Sequence, residues 1–184
     1  MSLTFDDTLL IHTNRLLLRK FNQSDIHSML KNWISDPDVQ SGYGEPAYTN
    51  EADIANLLNI WERQYRWAII MKDTNENIGH ISFCRLYDDI NTAEIEYCVG
   101  KDFWGKGIVS EALSAFIKHT FLNTSIVKLE AFHRVDNPGS GRVLQKSGLY
   151  PADNVMRFAH LPIALDGDIC YAISKDQFFY NSPL

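Results

Sequence analysis

The residues of this chain best suited to chemistry are Trp104-Gly105-Lys106-Gly107 and the three that follow, Ile108-Val109-Ser110. They stand between a β-forming run, Ala93 to Val99, and a segment with Leu113, Phe116 and Ile117 at helical spacing. A glycine turn that leads from a strand into a helix makes an anion site. Glycine takes positive φ and lets another molecule come close to the backbone. The first N–H groups of the helix have no partner within it and lie at the positive end of its dipole, so a phosphate docks there without a basic side chain. Lys106 adds one charge. Other chemistries find less footing. The six histidines show no metal-ligand spacing of the His-Glu-x-x-His kind, so no metal is expected, and no Ser-His-Asp pattern is present. Gly105-Lys106-Gly107 lacks the Lys-Ser/Thr continuation of a nucleotide P-loop. Cys84, Cys98 and Cys170 are odd in number, far apart and in apolar contexts, which reads as reduced thiols in a cytoplasmic protein.

The elements that position this turn can be read in order. Thr13 to Lys20 forms a first strand, with Leu16 and Leu18 on one face. Asn22 caps a helix from about Gln23 to Trp33, whose apolar stripe is Ile26, Met29, Leu30 and Trp33. Asp36-Pro37 stops it, and Ser41 to Tyr48 is a loop rich in glycine and aromatics. Thr49 caps a second helix reaching about Gln64. Trp67 to Met71, Ile78 to Tyr87 and Ala93 to Val99 are strands joined by the polar turns Asp73 to Asn77 and Asp88 to Asn91, so they pair antiparallel. After the central helix, Lys128 to His133 is a strand, and strand, helix, strand in succession predicts a parallel crossover. Asn137-Pro138 opens another helix, which Gly148 ends. Leu149 to Phe158 and Asp168 to Ser174 are two final strands. The fold class is α/β of the mixed kind: one domain over residues 1–184, a mostly antiparallel sheet with one parallel pair, helices on both faces. The net charge of −6 argues against a nucleic-acid backbone as partner, and no apolar run is long enough to span a membrane.

Four segments together resemble the GNAT superfamily of N-acetyltransferases, and within it the RimJ/RimL-like branch that acetylates protein N-terminal amines. Thr13-Asn14-Arg15-Leu16-Leu17-Leu18-Arg19 is similar to the branch's opening strand, and Ala93-Glu94-Ile95-Glu96-Tyr97 to the strand before the cofactor turn. Trp104 to Ala112 matches the pyrophosphate loop and its helix. Asn137-Pro138-Gly139-Ser140, followed by Val143-Leu144-Gln145-Lys146-Ser147-Gly148-Leu149, matches the Asn-x-x-Ser segment and its ending. The chain departs from the pattern at Trp104, where the superfamily usually has Gln or Arg, at Val109 for Gly or Ala, at Glu96 for Gly beside the tyrosine, and at Leu149 for Phe.

The resemblance implies direct acetyl transfer from acetyl-CoA to an amine, with no acyl-enzyme. The amides from Trp104 through Ser110 would hold the pyrophosphate. The strand before the turn would splay from its parallel neighbour and offer backbone groups of Tyr97, Cys98 and Val99 to pantetheine. An N–H near Val99 would polarise the thioester carbonyl. Glu96 is the candidate general base, against a plain strand carboxylate or a substrate-binding charge. Ser140 stands where many members have a tyrosine proton donor, so it could bond the sulfur, against a role confined to the first turn of its helix. Asn137 either bonds pantetheine or caps its helix. His133 is a second-rank base. A free α-amine has a pKa near ~8, so modest help from a base suffices. The acceptor is expected to be a protein N-terminus. The alternatives are a polyamine or aminoglycoside acetyltransferase, or a non-catalytic acyl-CoA-binding module on the same fold. A homodimer paired through the late strands is compatible with the sequence.

Overall fold

The computed structural model describes residues 10–42, 44–153, 155–156 and 168–181. Eight strands form one sheet: β1 (Ile11–His12), β2 (Leu16–Arg19), β3 (Arg66–Met71), β4 (Asn77–Tyr87), β5 (Thr92–Val99), β6 (Lys128–Arg134), β7 (Tyr150–Pro151) and β8 (Asp168–Ser174). Their order across the sheet is β1-β2-β3-β4-β5-β6-β8-β7. Every neighbouring pair is antiparallel except β5 and β6. The helices are α1 (Ile26–Met29), α2 (Pro37–Ser41), α3 (Glu51–Trp61), α4 (Ile108–Asn123), α5 (Pro138–Lys146) and α6 (Lys175–Asn181). This is the expected mixed α/β architecture with its single parallel pair.

The parallel pair matters most for the site. Its register holds for three rungs, Thr92↔Lys128, Ala93↔Leu129 and Glu94↔Glu130. Beyond Glu94 the two strands part, while β5 stays paired with β4 as far as Val99 and β6 stays paired with β8 as far as Arg134. A wedge-shaped gap therefore opens between the C-terminal halves of β5 and β6.

Alternation along β5 sends its side chains to two different cores. Ala93, Ile95 and Val99 join Ala112, Leu113, Phe116 and Ile117 of α4 in the larger one, where Trp67 and Phe83 each lie 4.9 Å from the Phe116 ring. Burying a side chain such as Phe116 contributes roughly 1.5–3 kcal/mol. Cys98 faces the other way, into a core of Met29, Trp33, Ile34, Ile54 and Leu58 under α1 and α3.

Several boundaries differ from the sequence reading. The first strand is a small hairpin, β1 and β2, turned at Thr13, whose N–H donates to the Leu16 carbonyl while its hydroxyl oxygen accepts from the Leu16 N–H. The first helix is a composite. A 3-10 turn at Gln23–Asp25 precedes α1, and a π turn at Leu30–Ile34 follows it. Asn22 caps it as expected, accepting from the Ser24 N–H while Asp25 accepts from the Asn22 N–H. Asp36 and Pro37 do not simply end a helix. Asp36 accepts from the Asp38 N–H and Pro37 opens α2, because a carboxylate N-cap followed by proline starts a helix as readily as it stops one. The cap of α3 is Asn50 rather than Thr49, with its Oδ1 on the Asp53 N–H, and the helix ends at Trp61. Among the described residues of the run expected from Leu149 to Phe158, Tyr150–Pro151 is the strand; residues 154 and 157–167 lie outside the described set. Helix α6 was not anticipated.

Candidate active site

Gly105 and Gly107 adopt φ of +70° and +73°. Both conformations are left-handed, which L side chains rarely take, and that is the physical reason for two glycines in this turn. Gly107 is the N-cap of α4, and no side chain caps the helix. The amides of Ile108, Val109 and Ser110 thus head a sixteen-residue helix with its dipole directed at the turn. The Ile108 side chain is buried in the larger core and pins this end, while Gly105, Lys106 and Gly107 are exposed.

The turn is braced from the side by residues the sequence reading passed over. Glu111, in the first turn of α4, accepts from the Thr13 hydroxyl at 2.6 Å, the Arg15 N–H at 2.9 Å and the Arg15 Nε at 2.7 Å. Arg15 Nη1 donates to the Lys106 carbonyl at 3.0 Å, so one side chain ties the apex of the turn to the start of the helix. Burial alone would raise the Glu111 pKa. The bonds from Thr13 and Arg15 outweigh it and hold the carboxyl below its ordinary value.

The gap between β5 and β6 supplies a second surface. Gly100 N–H donates to the Ile78 carbonyl at 3.0 Å. Antiparallel pairs alternate between exchanging and not exchanging bonds, so Cys98, two residues earlier and opposite His80, directs its backbone to β4. Tyr97 and Val99 direct theirs into the gap. The sequence reading is corrected here: Tyr97 and Val99 face the gap, and Cys98 does not. The Val99 carbonyl already accepts from the Trp104 indole Nε1 at 2.8 Å, which leaves the Val99 N–H as the donor at that point.

Across the gap stands the N-terminus of α5. Asn137 caps it, its Oδ1 accepting from the Ser140 N–H at 3.2 Å, so the capping role is the one the geometry shows. The Tyr97 hydroxyl lies 2.8 Å from Ser140 Oγ and 3.2 Å from the Ser140 carbonyl oxygen. Burial pushes the Tyr97 phenol pKa up, against a smaller downward pull from Ser140. His133 is a packing residue. It is buried, its Nδ1 is 2.8 Å from the Arg134 carbonyl, and a Cβ on Gly141 would come within 2.5 Å of its Nε2.

Glu96 lies on the opposite face of β5, toward α1 and α3. Its Oε1 accepts from Arg66 Nη2 at 2.6 Å and from the Ser82 hydroxyl at 2.9 Å. The three form one row across three strands, Arg66↔Ser82↔Glu96. The Arg66 guanidinium stacks over the Trp61 ring at 4.4 Å and places Nη1 3.0 Å from His80 Nδ1. His80 is fully buried, and that burial, then the adjacent guanidinium, keeps its pKa well below 6.5. Nothing in the local sequence marks Arg66 as a partner of Glu96, thirty positions away; only the register joins them.

Comparisons with known proteins bear on the family and the fold. Residues 15–150 match the model of the Acetyltransferase (GNAT) domain. The chain is 31% identical over 150 residues to an uncharacterized N-acetyltransferase, p20, of Bacillus licheniformis, covering 76% of this chain and 84% of that one. It is 36% identical over 89 residues to the ribosomal-protein-serine acetyltransferase of Escherichia coli, covering 48% of this chain and 50% of that one. Among solved structures, a GNAT acetyltransferase from Bacillus anthracis superposes with a TM-score of 0.77 at 26% identity, over 91% of this chain and 99% of that one. Two more share the fold at lower identity. RimL, a ribosomal L7/L12 α-N-protein acetyltransferase in complex with coenzyme A, has a TM-score of 0.72 at 22% identity over 92% and 99% of the two chains. Spermidine N-acetyltransferase from Vibrio cholerae, in complex with CoA and spermine, has a TM-score of 0.72 at 14% identity over 91% and 99%. A strand that parts from its parallel neighbour, ahead of a glycine turn and an uncapped helix, makes up the candidate site. The chain belongs to the GNAT acetyltransferase family and is an acetyltransferase.

Proposed function

We propose that this protein transfers the acetyl group of acetyl-CoA directly to the α-amine of a protein N-terminus. The observation that carries the cofactor half is the pair of left-handed glycines at the uncapped head of α4, next to the gap that Tyr97 and Val99 face. Such a turn suits a pyrophosphate, with the amides from Trp104 to Ser110 as donors and Lys106 as a nearby charge. Acetyl-CoA supplies an activated acetyl group. The Val99 N–H polarises its carbonyl. Glu96, on the other face of the strand, takes a proton from the attacking amine directly or through water. Ser140 donates a hydrogen bond to the sulfur as the C–S bond breaks and the N–C bond forms. The protein N-terminus as acceptor draws support from the ribosomal-protein-serine acetyltransferase among the relatives. The three cysteines form no disulfide in the described residues, which fits a cytoplasmic setting.

Thiol release from acetyl-CoA over a panel of N-terminal peptides, spermidine and an aminoglycoside tests this reading. Turnover on peptides beginning with a small residue is expected. Preference for the polyamine would move the assignment to small amines, and tight CoA binding with no turnover on any acceptor would sink the enzyme. Gly107→Asp places a side chain on left-handed backbone and a negative charge at the anion site, and should abolish CoA binding in calorimetry.

A further inference from the structure

Ser140 does not stand alone at the gap. Its N–H is taken by Asn137 Oδ1, and its Oγ lies 2.8 Å from the hydroxyl of Tyr97, a residue of the strand on the other side. We propose that Tyr97 is the positioning residue for the thiol end of the cofactor, giving its one hydrogen to Ser140 Oγ at 2.8 Å in preference to the Ser140 carbonyl at 3.2 Å, so that the single Ser140 hydroxyl hydrogen is directed into the gap toward the sulfur. This rests on the cofactor reading above and extends it to a residue expected there to offer only its backbone.

A serine hydroxyl rotates freely and has one hydrogen to give. Left unfixed, that hydrogen would be satisfied by water or by a carbonyl of its own helix. A donor at Oγ removes that freedom, because the oxygen then accepts from one direction and must give its hydrogen in another. Tyr97 suits the task. It is half-buried with its ring packed on the larger core, so its hydroxyl is held in place. Burial also keeps the phenol protonated, so it serves as a donor and does not pass its proton on. No proton leaves Tyr97 or Ser140 in this scheme. The pair stabilises the leaving thiolate by hydrogen bonding, and the proton that balances the transfer comes from the amine.

Tyr97→Phe removes the hydroxyl and keeps the ring that packs, so the fold should hold; Ser140→Ala removes the bond to sulfur. The deciding measurement is the titration of the thiol of CoA bound to each protein, followed by thiolate ultraviolet absorbance. A donor to the sulfur lowers the pKa of the bound thiol. Both variants should therefore raise it by about the same amount, roughly one unit for the loss of one hydrogen bond to a charged group. The double variant should add little, because the two residues act through one contact. kcat should fall about tenfold in all three, with KM for acetyl-CoA changed less. A Ser140→Ala shift that Tyr97→Phe does not share would overturn the positioning role while leaving Ser140 at the sulfur. Additive shifts would likewise overturn it. Unshifted titrations in both variants with CoA still bound would overturn the contact altogether. Failure of the unaltered protein to bind CoA would remove the cofactor reading itself, a result separate from the others.

Discussion

At the level of single residues, Glu96 is defined by the company it keeps. One of its oxygens accepts from both Arg66 and Ser82, so the carboxylate is fixed in direction and balanced in charge. Such a group can take a proton from an amine only if the amine reaches it on the α1–α3 side of β5. Glu96→Gln should lower kcat several-fold at neutral pH and much less at high pH, where the amine is neutral without help. Equal loss at both, in a pH–rate profile, would restrict Glu96 to holding Arg66. Gly100 makes a different point. Its φ of −57° is open to any residue, but a Cβ there would lie 1.9 Å from the Asn32 carbonyl oxygen in the π turn. Gly100→Ala should cost at least about 1–3 kcal/mol, the range for forcing atoms into packed space, read from the urea midpoint.

At the level of elements, the glycine turn depends on the hairpin of β1 and β2. Glu111 and Arg15 link the head of α4, the turn apex and that hairpin in one cluster, with side chains 20% and 40% exposed. A partly exposed pair of this kind contributes about 1 kcal/mol or less to stability. Its larger effect is on the turn, because Arg15 also offsets a carboxylate in the first turn of the helix proposed to meet the pyrophosphate. Arg15→Met should lower the melting temperature by only a few degrees and weaken CoA binding about tenfold, with pantetheine, which carries no pyrophosphate, affected much less. An equal loss for both ligands in calorimetry would show that the brace shapes the gap and not the turn.

At the level of the whole molecule, acid stability follows from the buried histidine beneath Arg66. His80 is desolvated and faces a guanidinium, so its folded pKa is well below the unfolded value of about 6.5. The sign is fixed by proton uptake. Above pH 6.5 both states hold neutral His80 and nothing changes. Below it the unfolded chain binds a proton that the native state refuses, and stability falls by up to about 1.4 kcal/mol per pH unit until the folded pKa is reached. His119, whose pKa is also lowered by burial, adds a slope of the same sign. Urea midpoints should therefore drop between pH 7 and pH 5, and His80→Gln should flatten that drop; an unchanged slope would assign it to other groups.

What the sequence determined by itself was whatever depends on near neighbours along the chain. The glycine turn and its uncapped helix were legible because positive φ and the helix dipole are local properties of Gly105, Gly107 and the residues after them. Strand alternation, the Asn22 and Asn137 caps and the parallel crossover were legible for the same reason. Asp36-Pro37 and Thr49 were misplaced because several adjacent polar residues can cap, and packing chooses among them. Tertiary structure alone decided the rest. Arg66, Ser82 and Glu96 share a row only through the register of three strands. Cys98 turns to β4 while Tyr97 and Val99 turn to the gap because one hydrogen bond at Gly100 sets the phase of the ladder. Tyr97 meets Ser140 forty-three positions away because β5 and β6 part after Glu94. Local propensity carries no record of which distant group will lie opposite, and in this protein that pairing brings Tyr97 and Ser140 together beside the glycine turn.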